Sequence, residues 1–131
     1  MKKIILAMVA VMVPLMLSAG STDFWFRHFS VEDGLSSSAV RAIMQDKYGF
    51  MWLGTDDGLN RYDGTTIKIY RLNPEGVNDY ISFLYDTTDR IWIGTGDGVY
   101  IYDYETENFE PFKLLTAKGD SIKTNVNHIA E

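Results

Sequence analysis

From residue 39 onward, short apolar runs alternate with turn-forming punctuation. "AVRAIMQD" (39–46) is a mixed apolar stretch that ends at a turn, and "FMWLGT" (50–55) is rich in aromatic and branched residues. "GLNRYD" (58–63) alternates, and "TTIKIYR" (65–71) is β-branched with a period of two. Each run reads as a short strand, so the pattern predicts a four-stranded antiparallel sheet. Asp63-Gly64 between the third and fourth runs predicts a two-residue hairpin turn of type I′. Upstream, "FWFRHFS" (24–30) has the character of an outer strand with no sheet before it.

The same pattern is written twice. Shifted by forty, Asp46–Asp63 matches Asp86–Asp103 at eight of eighteen positions: Asp46/Asp86, Trp52/Trp92, Gly54/Gly94, Thr55/Thr95, Asp57/Asp97, Gly58/Gly98, Tyr62/Tyr102 and Asp63/Asp103. Met51/Ile91, Leu53/Ile93 and Leu59/Val99 are apolar exchanges. A strand-rich period near 40 residues is that of a propeller blade. The fold expected is therefore all-β, with blades of four antiparallel strands at 40–72 and 80–114. A third blade begins at 124–131, where "TNVNHIAE" matches "SAVRAIMQ", so about two blades of an incomplete ring are present. Gly54 and Gly94 are expected where a neighbouring backbone approaches closely, and Gly58 and Gly98 at left-handed turn positions. In the second copy Asp89 stands where Gly49 stands in the first, and "YETEN" makes a longer last connection. The 20–39 segment, with its strand at 24–30, is expected to complete the last blade of a longer parent.

Residues 1–19 change the picture at the other end. Lys2 and Lys3 precede an uncharged apolar run from Ile4 to Leu17, followed by small residues at 18–21. That is the pattern of a secretory signal peptide cut after Ala19 or Gly20; the run is short for an uncleaved span of about 20 residues. The chain has no cysteine, which excludes disulfides, thiolate metal sites and a lipoprotein anchor. Its net charge is −6, and removing Lys2 and Lys3 leaves ten basic against eighteen acidic residues, a poor match to a phosphate backbone. No nucleic-acid partner is expected, and no direct membrane contact after cleavage.

Taken together, "EDGLSSSAV" (32–40) and the repeat D-x-x-G-x-(I/M)-W-(I/L)-G-T-x-x-G-(L/V)-x-x-(Y/F)-D resemble the two-component regulator propeller family. The first copy carries Asp46, Gly49, Trp52, Gly54, Thr55, Gly58, Tyr62 and Asp63; the second carries Asp86, Trp92, Gly94, Thr95, Gly98, Tyr102 and Asp103. The resemblance implies the N-terminal portion of a periplasmic sensor region, in a hybrid histidine kinase anchored in the inner membrane. Such sensors detect glycan breakdown products and control carbohydrate-utilisation genes. It implies as partners the remaining blades of a parent chain, an oligosaccharide ligand and a homodimeric parent. It implies no cofactor and no catalysis by this chain.

The residues themselves leave other readings to weigh. Trp52 and Trp92 are expected to pack between blades rather than stack on a sugar. Asp56, Asp57 and Asp97 lack the spacing of a calcium loop and read as turn caps. His28 and His128 stand apart with no metal-ligand partners, and no Ser/His/Asp set has catalytic spacing. Any of Arg27, Arg41, Arg61 and Arg71 is placed to meet an acidic glycan. An exported propeller lyase or hydrolase, or a product inactive alone, are the alternatives to a sensor.

Overall fold

The computed structural model describes residues 25–73, 79–113, 115–121, 124 and 126. The leader at 1–19, residue 24 and, apart from residues 124 and 126, the third-blade segment lie outside them. The described chain forms two four-stranded antiparallel sheets of simple up-and-down order. The first comprises β1 (Val40–Gln45), β2 (Met51–Thr55), β3 (Gly58–Tyr62) and β4 (Ile67–Tyr70). The second comprises β5 (Ile81–Asp86), β6 (Arg90–Thr95), β7 (Gly98–Asp103) and β8 (Asn108–Phe112). Among the described residues no helix is long and apolar enough to cross a membrane.

A single hydrophobic core joins the sheets. Trp52, Leu59 and Leu72 from the first half meet Ile81, Ile91, Ile93 and Tyr102 from the second. Neither sheet alone buries its apolar face, which is the physical reason such units are stacked. At Gly54 the second sheet approaches closely: a Cβ there would sit 2.5 Å from Cγ2 of Ile81. The expected neighbour was backbone; at Gly54 it is this β-branched side chain. Gly94 is crowded likewise, by the Phe83 ring and by the carbonyl of Val126. Gly58, at φ 116°, turns between β2 and β3 in a conformation that L side chains rarely adopt.

Both first strands carry an irregularity at the same place, between Val40 and Ala42 and between Ile81 and Phe83. The bulged residues, Arg41 and Ser82, are thereby re-aimed. Arg41 reaches Asp56, and the Ser82 hydroxyl reaches the Val126 carbonyl.

One sequence expectation is corrected here. Asp63-Gly64 is not the hairpin tip. The ladder ends at Tyr62↔Ile67, and the Asp63 amide donates to the Thr66 carbonyl, so Gly64-Thr65 forms the tip. Only Gly64 has positive φ; Asp63 instead offers a carboxylate that accepts from the Thr65 and Thr66 amides. Asp103 does the same for Glu105 and Thr106. Residues 25–30 of the expected 24–30 strand pair with no described sheet edge; the parent blade that this strand is expected to complete is not among the described residues. Within the described residues the segment packs through its side chains. It lies on β3 instead: Arg27 donates to the Tyr62 hydroxyl at 2.7 Å, and Phe29 meets the Tyr62 ring edge-on at 4.8 Å.

Residues 30–39 dock the lead-in to β1. Ser30 caps a single 3-10 turn (Val31–Asp33), closed by Gly34. Leu35 then buries, and Ser36 bonds the fully buried Asn60 through both backbone and side chain.

Candidate functional site

The repeat motif builds a clasp in the first sheet. The loop after β1 closes by an Asp46 amide to Phe50 carbonyl bond, with Gly49 at φ 89° supplying the left-handed residue of a three-residue hairpin loop. This turn aims the Asp46 carboxylate inward. One oxygen accepts from the Tyr48 and Phe50 amides, both at 2.9 Å, and the other from the Trp52 indole N–H at 2.7 Å. The indole is fully buried, so its N–H needs that acceptor.

Trp52 then bridges the sheets. Its ring stacks on Tyr70 of its own sheet, and meets Tyr102 at 5.1 Å and Phe109 at 6.5 Å in the second. Removing 150–250 Å² of aromatic surface from water at about 25 cal/mol per Å² gives roughly 4–6 kcal/mol before entropic costs. Trp52 is thus an inter-sheet packing residue, not an open stacking platform.

The second copy does not repeat the clasp. Trp52 faces Met44 across its ladder, eight positions earlier, whereas Trp92 faces Tyr85, seven earlier. Asp86 consequently lies on the ladder opposite Ile91, in the place of Gln45 rather than of Asp46. Asp89 takes no positive φ; the loop closes one residue tighter, by a Thr87 amide to Arg90 carbonyl bond of 2.8 Å. The sequence identity Asp46/Asp86 is therefore not a structural equivalence. Asp86 accepts from the Tyr104 hydroxyl at 2.8 Å instead. Burial, and then this bond, push the Tyr104 phenol well above its ordinary range. Trp92 is half-buried against Phe112.

Beside the clasp, the two sheets part to form a cleft of about 460 Å³ lined by Asp46, Tyr48, Phe50, Arg61, Tyr102, Tyr104 and Glu107. Arg61 lies over the rings of Phe50, Trp52 and Tyr70 at 4.8, 5.6 and 5.8 Å. Its hydrogen bond goes to the Tyr102 hydroxyl at 3.4 Å. Tyr48 and Tyr104 meet edge-on at 5.2 Å across the mouth, with Lys47 above both rings. Lys47 also donates to the Thr88 carbonyl, tying the two loops together.

The opposite rim carries the acidic turns. The caps expected of Asp56, Asp57 and Asp97 belong to threonine: Thr55 donates to the Gly58 carbonyl and accepts from the Asp57 amide, and Thr95 does the same with Gly98 and Asp97. A hydroxyl both donates and accepts, which a carboxylate cannot do. The acids go elsewhere. Asp56 pairs with Arg41, Asp57 takes Arg71, and Asp97 accepts from the Asn73 amide group. The Arg71 partnership holds the Asp57 carboxyl below its usual range. Asp79, 5% exposed, accepts from the Leu72 and Asn73 amides through one oxygen. Its other oxygen has no hydrogen-bond partner among the described residues and lies 3.9 Å from the Arg71 guanidinium; burial pushes this carboxyl upward.

Of the four arginines weighed from sequence, Arg41 and Arg71 are ion-paired, Arg27 rests on Tyr62, and Arg61 lines the cleft. His28 is exposed and His128 lies outside the described residues. Among the described residues no group of three or more His, Cys, Asp or Glu is arranged to hold a metal. Sequence reading missed Asn60, Asp79 and Tyr104.

Comparison with known proteins agrees with this architecture. The family model described as "Two component regulator propeller" matches residues 34–57, the segment that contains the clasp. The chain is 56% identical over 59 residues to histidine kinase P4 of Formosa agariphila, a stretch covering 45% of this chain and 4% of that protein. It resembles the crystal structure of the extracellular domain of a proposed hybrid two component system from B. thetaiotaomicron, with a TM-score of 0.62 and 32% identity, over 76% of this chain and 15% of that one. The chain thus spans a small part of either relative. In sheet order, clasp and both relatives, the chain resembles two-component regulator propeller proteins, whose repeat it carries at residues 34–57.

Proposed function

We propose that this chain forms part of the ligand-sensing propeller of a hybrid two-component sensor, exported to the periplasm. Its signal would be glycan breakdown products, and its output the control of carbohydrate-utilisation genes. The observation that carries the reading is the likeness to an extracellular domain over 76% of the chain at 32% identity. The partners on this reading are the further blades of a parent chain that dimerises, together with an oligosaccharide. The two sheets serve as a scaffold, with binding groups in the cleft and on the rims. Calorimetric titration of the full chain with oligosaccharide digests of plant and algal polysaccharides tests this. Saturable binding of short oligosaccharides, with the parent polymers inert, is expected. No binding across the digests contradicts the reading.

A further inference from the structure

We infer that the cleft between the two sheets is a saccharide subsite in which Arg61 receives an acidic group. This rests on the sensor reading above and deepens it by naming the site and the ligand class. A guanidinium has five N–H donors in a fixed fork that matches a carboxylate or sulfate. Arg71 spends that fork on Asp57, and Arg41 is ion-paired with Asp56 through its Nε. Arg61, half-buried among aromatic rings, makes one long bond to a phenol and no ion pair with any described residue. The rings fix its plane, so little side-chain entropy remains to be lost when an anion docks.

The lining fits the rest of such a ligand. Tyr48 and Phe50 offer apolar faces to the C–H face of a sugar ring. Asp46 lines the cleft, but three N–H donors hold its two oxygens in the turn, and Arg61, with Lys47 above the mouth, supplies the positive charge that a ligand meets. Glu107 lies at the exposed rim, where water screens its charge. A volume of about 460 Å³ falls within the range of small-molecule sites.

The test titrates the full chain with two matched pairs, glucuronate against glucose and galacturonate against galactose, read by aromatic-ring NMR. Uronates should shift the ring signals of Tyr48, Phe50 and Tyr104 but not of Tyr85 or Phe112, with at least one uronate about tenfold tighter than its neutral twin. Arg61→Lys keeps the charge but loses the fork, and should cut that preference to about threefold or less. The ring-shift pattern of the unmodified chain decides the question even if Arg61→Lys folds poorly. Equal affinity within both pairs, or shifts confined to rings outside the cleft, would overturn the site while leaving the sensor reading intact. Failure of every saccharide, in this titration and with the oligosaccharide digests, would overturn both.

Discussion

The loops after β1 and β5 begin with the same aspartate and lead to the same tryptophan at the same spacing, yet they fold differently. In the first, Gly49 opens a three-residue loop and Asp46 turns inward to hold Trp52. In the second, Asp89 takes no left-handed conformation, the loop tightens, and Asp86 stays on the strand facing Tyr104. One position of strand register separates a clasped, buried Trp52 from a half-buried Trp92 without a clasp. Register is set by the ladder and the loop together, and residue identity alone does not fix it.

The largest expected effect distinguishes the two tryptophans. Trp52→Ala removes the ring that joins the sheets and should cost about 3–5 kcal/mol. Trp92→Ala, from a half-buried site, should cost less than half as much. Chemical denaturation of the two variants under one set of conditions measures this, and equal losses would erase the distinction between the copies.

Next comes the carboxylate. Asp46→Ala strands the indole N–H and two loop amides, for about 1–3 kcal/mol. Asp86→Ala leaves the Tyr104 hydroxyl near the cleft mouth, where water can replace the lost acceptor, so its loss should be smaller. The thermal midpoints of this pair read the register difference directly.

A smaller effect separates the loop residues. Gly49→Ala forces a Cβ into positive φ and should cost about 1 kcal/mol or more, whereas Asp89→Gly should shift stability by under about 1 kcal/mol, because that loop uses no positive φ. If Asp89→Gly instead proved as costly as Gly49→Ala, Asp89 would have a role this fold does not give it.

The smallest expected effect concerns pH. Asp79 is raised by burial, so its ionised form burdens the fold. The stability linked to its neutral form is fully present below the ordinary Asp value of 3.8 and is lost as pH rises through the folded value. Asp57, Asp63 and Asp103 are lowered, by Arg71 for the first and chiefly by turn amides for the others; their contributions run the opposite way and fade as pH falls below 3.8. The melting difference between the parent and Asp79→Asn should therefore move in the parent's favour from pH 7 to pH 4. A difference that stays flat over that range would remove Asp79 from the balance.

Much of this was legible before any coordinates. Period-two alternation in "TTIKIYR" and the aromatic run "FMWLGT" placed β4 and β2, because half-buried strands must alternate and buried ones must be apolar. The forty-residue echo placed the second sheet for the same reason. The failures have a common cause. The Asp46/Asp86 identity concealed a register shift, and Asp63-Gly64 resembled a hairpin tip while Asp63 served as a cap. Each depends on a partner distant in sequence, as do the Ser36–Asn60 bond and the burial of Asp79. The cleft was invisible for the same reason: its lining is drawn from both sheets.

The most direct test of the inter-sheet clasp is solvent exchange at the three indole N–H groups, followed by NMR on the full chain. Trp25 is 93% exposed, Trp92 half-buried, and Trp52 buried with its N–H on Asp46. The structure predicts exchange fastest at Trp25, intermediate at Trp92 and slowest by orders of magnitude at Trp52. Comparable exchange at Trp52 and Trp92 would contradict the clasp and the packing built on it.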